Sequence, residues 1–140
     1  MVTKIARNIY LLFISVFVLG AFTQIFFVGM SVLAGTPSWE EHRGLGALLG
    51  LLLLLTLPIM YVAKMPRPFK PMTWAMFLIF VVMVFALGAR GTEMAVISAF
   101  HPVLAVGLIA LCVRMPVQVW RLLREGEPEA AMARTAAATD

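Results

Sequence analysis

From residue 8 to residue 39 the chain carries no Asp, Glu, Lys or Arg. A helix that crosses a bilayer needs about 20 predominantly apolar residues, so this stretch fits lipid better than the interior of a small soluble domain. Three more apolar runs follow it. Composition agrees: soluble domains carry roughly 25% charged residues, whereas this chain of 140 residues is 13% charged and 62% hydrophobic. A domain of this size has no interior large enough to hide that much apolar surface, so the lipid bilayer is its first partner. The net charge of +4 does not point to nucleic acid. The basic residues sit in short stretches between apolar runs, where membrane orientation is encoded.

The expected architecture is all-α, with four transmembrane helices at about 9–33, 39–63, 72–89 and 94–123. Residues 1–124 form the membrane domain. The Ala-rich, alternately charged tail 125–140 is expected to be disordered or a frayed extension of the last helix. The first run begins after Lys4 and Arg7 and ends in small residues at Ser31–Ala34, as a signal peptide would. Its apolar core exceeds the 7–15 residues of such signals, which favours an uncleaved helix. The connections are short, and Pro66, Pro68 and Pro71 stiffen the second. Short links force neighbours antiparallel, giving an up-down-up-down bundle. Nine of the eleven basic residues fall on one side; only Arg43 and Arg90 fall on the other. The positive-inside rule then places both termini in the cytoplasm.

Ser38-Trp-Glu-Glu41 has the form of a capping box and predicts a helix start there. Trp39 on one side and Trp74 and Trp120 on the other read as interfacial belts. The fourth helix start has two readings. Pro102 suits a first helical position, with His101 as the cap; alternatively the helix starts near Thr92 and Pro102 bends it beside His101. Thr56 is expected to satisfy backbone groups loosened by Pro58. Cys112, the only cysteine, has no disulfide partner and reads as a small hydrophobe. Residue identity shows no convincing internal repeat, although the two halves share a layout.

His42 and His101 are the only histidines. Each opens a helix running in the same direction, so the topology sets both at similar depth on diagonal helices. Such a gap suits a flat macrocycle held edge-on between two imidazoles, which are standard axial ligands of haem iron. His42, Gly46 and Gly50 share one helical face, as do His101 and Ala105, and small residues there leave room for a porphyrin. The same spacing also lets membrane helices approach closely with no ligand. Gly29, Gly44, Gly88 and Gly107 fit that packing role too. The histidines also fit plain helix-end polar contacts, or a zinc site with Glu41, though the latter lacks a persuasive ligand spacing.

Gln24 lies deepest among the amides and is expected to face the bundle interior. It can bond across helices, contact a haem propionate or hold a quinone carbonyl. Arg43 and Arg90 lie near the histidine level and can pair with haem propionates, or else with Glu40, Glu93 or lipid phosphates. Met30 and Met94 are remote axial candidates, better read as packing residues. The sequence has no Ser-His-Asp set, no phosphate loop and no carboxylate inside an apolar run. These absences argue against a hydrolase or a classical ion pump.

Trp39-Glu-Glu-His-Arg-Gly-Leu-Gly46 and His101-Pro-Val-Leu-Ala105, with Gln24–Gly29, resemble a family of small bacterial four-helix membrane proteins of unknown function. That resemblance covers nearly the whole chain except the tail and implies a multi-pass protein of the bacterial inner membrane. More loosely, the paired histidines resemble cytochrome-b-type bundles, in which histidines on diagonal helices clamp haem. This chain departs from the two-haem pattern in having one pair at one depth. The leading expectation is one haem b near the outer face, held by His42 and His101 for electron transfer with a quinone or a membrane redox complex. Gly46, Gly50, Ala105, Gln24, Arg43 and Arg90 would line its site. The competing expectation is a non-catalytic accessory or structural subunit of a membrane complex.

Overall fold

The computed structural model describes residues 2–88, 91 and 95–124. It is helical, with no strand among the described residues. Helix α1 spans Val2–Val32, α2 Trp39–Val62, α3 Phe69–Gly88 and α4 Phe100–Cys112. A 3-10 turn at Ala95–Ala99 leads into α4. A last helix, α5, covers residues 115–124 after a turn at 113–114. Four segments are long and apolar enough to cross a membrane, the fourth running from Ala95 to Arg124. The tail 125–140 lies outside the described residues.

The surface pattern is that of a lipid-solvated protein. Large apolar side chains such as Leu19, Phe85 and Val106 are more than two-thirds exposed. In water such continuous apolar surface would drive association; in a bilayer it faces acyl chains. Polar backbone groups are closed within helices, as lipid requires.

Helix ends show where local chemistry overrode hydropathy. The first helix begins at Val2, well before the expected residue 9, because Lys4 and Arg7 are good helix formers. Arg7 donates from Nε to the Ala63 carbonyl at 3.1 Å, tying that end to the end of α2. Gly35 terminates α1 with φ +67°, a conformation glycine adopts without steric cost. The α2 start falls where Ser38 predicts, yet the capping box does not form. Ser38 makes no side-chain cap bond; instead its N–H donates to Ser31 Oγ at 2.9 Å.

Proline acts differently in α2 and after α4. Pro58 lies inside an unbroken α2. Thr56 Oγ1 donates to the Leu52 carbonyl at 2.7 Å, not to the Leu54 carbonyl that Pro58 frees, so the expected compensation is absent. Pro116 stands just beyond the break between α4 and α5. Lacking an N–H, it cannot close a turn onto the Cys112 carbonyl. The helical path still continues through this turn, because Val113 keeps helical angles, and the span from Ala95 to Arg124 agrees with the expected helix 94–123 over its described residues.

The helices pack in a ring. α1 lies against α2 and α3 against α4 most extensively; α2 meets α3, and α1 meets α4 only lightly. The bundle is thus two helical hairpins set side by side, with α2 and α4 on a diagonal.

The two hairpins repeat one another structurally. Buried Ala6, Tyr10, Ile14 and Phe17 of the first correspond to buried Met65, Phe69, Thr73 and Met76 of the second, at a constant shift of 59 residues. The same shift carries buried Leu49, Leu53, Thr56 and Met60 onto buried Leu108, Cys112, Met115 and Val119. A shift that maps α1 onto α3 and α2 onto α4 and α5 describes a pseudo-twofold axis along the bundle, a relation familiar in membrane folds built from parallel repeats. The repeat that residue identity conceals is plain in burial.

Candidate functional site

The core fills the half of the bundle that ends at the 63–68 connection. In the other half the hairpins part around a cavity of about 660 Å³, within the range of small-molecule sites. Its walls obey the pseudo-twofold. Sixteen of its eighteen lining residues form eight pairs at the 59-residue shift, among them His42 with His101, Gln24 with Met83, Arg43 with Pro102 and Gly46 with Ala105. Such pairing of the walls means that the cavity straddles the axis, between hairpins, and belongs to neither one alone.

His42 and His101 face each other there with ring centroids 6.2 Å apart. His101 lies on the helix, as the second residue of α4, with Pro102 in the first turn; the alternative of His101 as cap is not realised, and Ala99 holds that place. Each imidazole directs Nδ1 at the backbone carbonyl of the residue eighteen positions earlier. His42 Nδ1 lies 3.4 Å from the Gln24 oxygen, and His101 Nδ1 lies 3.2 Å from the Met83 oxygen. A carbonyl can only accept, so each contact selects the tautomer with hydrogen on Nδ1. The lone pair is left on Nε2. Imidazoles that bind metals are commonly oriented in this way by a carbonyl behind them.

The other candidates divide. Gln24 bonds across helices: its Nε2 donates to the His42 carbonyl at 2.9 Å, while its Oε1 is buried without a hydrogen-bond partner. Gly46 and Ala105 line the cavity. A Cβ at Gly46 would come within 3.1 Å of Gln24 Nε2. Gly50 serves packing instead, since a Cβ there would meet the Phe80 ring at 2.6 Å. Arg43 sits at the cavity rim and pairs with Glu40 on its own helix. Arg90, Glu93 and Met94 lie outside the described residues. At Gly29, Gly44 and Gly107 an added Cβ would meet nothing within 4 Å, so close helix approach inside the bundle does not use them. Gly20, which the sequence did not mark, does: a Cβ would meet Leu49 at 2.5 Å.

The donor set constrains what the cavity can hold. Among the described residues no group of three or more His, Cys, Asp or Glu is placed to hold a metal ion, so the zinc site with Glu41 is not assembled. Two imidazoles alone suit an iron that already has four ring-nitrogen ligands. His42 and His101 are the residues that would hold such an iron, each through Nε2.

The fold and the apolar surface define a multi-pass membrane protein, a four-helix bundle with a paired-histidine cavity between its hairpins. Residues 24–89 match the model of a family of unknown function, DUF6220. The matched stretch includes Gln24, His42 and Gly46 and stops short of His101. No curated protein and no solved structure matches the chain.

Proposed function

We propose that the protein is a b-type haem protein of the bacterial plasma membrane that transfers electrons, with His42 and His101 as axial ligands. One observation carries this reading: two imidazoles, each turned by a main-chain carbonyl, face each other at 6.2 Å in a shared apolar cavity. Haem b held there would supply a one-electron iron couple. The chain's own part is to fix the imidazoles, exclude water with apolar walls and keep the rim polar at Arg43. Arg43, with Arg90, would take the propionates. The electron partner in this reading is a membrane quinone or a larger redox complex, and the histidine end faces away from the cytoplasm.

The test is a reduced-minus-oxidised visible spectrum of protein purified in detergent from haem-replete cells, beside the His42→Ala/His101→Ala double variant. Sharp haem bands in the wild type that vanish in the double variant are the expected result. A flat wild-type spectrum, after haem supplementation, would sink the reading.

A second reading has its own observation. Gly44 and Gly107 are exposed with open space before them, and small residues on a lipid-facing helix surface let another helix approach closely. An accessory subunit of a membrane complex would use such faces, and crosslinking at them in native membranes would capture its partner.

A further inference from the structure

We infer that the two histidines are unequal: His42 is the ligand the fold holds fixed, His101 the one it can release, and Gln24 sets the difference. This rests on the haem reading above and assigns each ligand a separate role within it. The pseudo-twofold makes the comparison direct, because every contact at one histidine has a counterpart position at the other.

The rings themselves are held alike, each by a carbonyl at 3.2–3.4 Å. The backbones are not. His42 is the fourth residue of α2, and its own N–H bonds to the Ser38 carbonyl at 3.1 Å. Its carbonyl accepts the Gln24 amide across the hairpin. Gln24 thus grips His42 twice, through its backbone oxygen on the ring and its side chain on the backbone. Met83 is the counterpart of Gln24, and a thioether has no N–H to donate. Among the described residues no side chain makes that second grip at His101.

A similar inequality appears at the next pair. The Trp39 indole stands edge-on to the His42 ring at 6.1 Å. Its counterpart, Ser98, donates to Ala95 within its own 3-10 turn at 2.6 Å and gives His101 no wall. His101 then enters α4 straight from that 3-10 turn, whose hydrogen-bond geometry is poorer than an α-helix's, and Pro102 follows. Among the described residues the His42 side of the cavity is braced by Gln24 and Trp39, and the His101 side by the Met83 carbonyl.

A releasable axial ligand lets a neutral diatomic molecule take its place. If haem is held between the two imidazoles, His101 is the residue that would give up its place to such a molecule by simple ligand exchange, with no change of oxidation state. Carbon monoxide added to the dithionite-reduced protein is the probe. The His101→Ala variant is expected to keep at least half of the wild-type haem and to bind carbon monoxide without competition. The His42→Ala variant is expected to keep less than about a tenth, the scale on which supporting contacts around metal ligands act. Gln24→Met, which installs the second hairpin's residue in the first, should lower haem retention in the His101→Ala background by about tenfold.

Equal loss in the two single variants, or loss in the reverse order, would overturn this inference alone. A wild type without haem would overturn both it and the reading beneath it. If His42→Ala does not fold, amide hydrogen exchange of the wild-type protein in lipid nanodiscs decides. Slower exchange at residues 42–46 than at 101–105, with the difference lost in Gln24→Met, is expected; equal exchange would overturn the inference.

Discussion

The His42 and His101 rings stand 6.2 Å apart across the seam between two hairpins, each oriented by a carbonyl from its own hairpin's first helix. The orienting groups are main-chain atoms, so no substitution at positions 24 or 83 can delete them. The site's geometry is therefore a property of the hairpin fold, and each hairpin delivers half of it. Assembly of the two halves completes the cavity, and the apolar core at the opposite end holds the halves together.

Filling the cavity separates its role from that of the core. Ala105 lines the space beside His101, and Ala105→Phe would project a ring into it. Overpacking an occupied site costs about 1–3 kcal/mol, and each ~1.4 kcal/mol is tenfold in affinity. If haem is held there, its content after purification should fall roughly tenfold. Far-ultraviolet circular dichroism and the thermal midpoint of the cofactor-free protein should not fall, because the apoprotein has room there. A drop in helicity would show that the space belongs to the fold and not to a ligand.

The glycines offer a control within one helix. Gly50→Ala would set a methyl group 2.6 Å from the Phe80 ring edge, which has to move as a rigid unit. A loss of about 1–3 kcal/mol is expected, read as lower resistance to unfolding in mixed micelles. Gly44→Ala meets nothing within 4 Å and should be neutral or slightly stabilising, since Ala exceeds Gly in helix propensity by about 1 kcal/mol at most. Equal effects at both positions would contradict the packing described for Gly50.

Much of this architecture is legible in the sequence, for identifiable reasons. Apolar runs between Arg7 and Glu40, and after each later charged turn, mark the spans because lipid tolerates few charges. His42 and His101 are brought together as the topology predicts. Hydropathy reports lipid contact and not helix ends, so the start at Val2 and the turn after Cys112 escaped it. Ser38 has the right residue type for a cap, but its φ of −117° and ψ of 25° leave the hydroxyl unbonded to the helix. The 59-residue repeat is hidden because lipid accepts any large apolar residue. Ile14 and Thr73, or Leu53 and Cys112, fill equivalent buried places with little chemical likeness. The carbonyls behind the histidines could not be read at all, since every residue carries one.

Orientation can be tested with the connections. The positive-inside rule assigns the 63–68 turn, with Lys64 and Arg67, to the cytoplasm, and the Gly35 turn to the far side. In a Cys112→Ala background, Arg67→Cys should react with a membrane-impermeant maleimide only in inside-out vesicles. Gly35→Cys should react only in right-side-out ones. The opposite pattern would place the histidine cavity on the cytoplasmic side.

The buried pair at the other end of the bundle gives a sharper energetic test. Tyr10 Oη and Thr73 Oγ1 lie 2.6 Å apart, and both side chains are fully buried. Thr73 Oγ1 also donates to the Phe69 carbonyl at 2.8 Å. Its one hydrogen is thereby committed, so Tyr10 is the donor in the pair. The two deletions are then unequal. Tyr10→Phe removes the donor and leaves Thr73 with its own bond intact; about 0.5–1.5 kcal/mol is expected. Thr73→Val removes the acceptor and strands a buried phenolic O–H, for which about 1–3 kcal/mol is expected. The double variant should be less destabilised than the sum, because replacing both partners by apolar groups leaves nothing unpaired. Unfolding in mixed micelles measures all three. A larger loss for Tyr10→Phe than for Thr73→Val would reverse the assigned donor and place the Thr73 hydrogen on Tyr10.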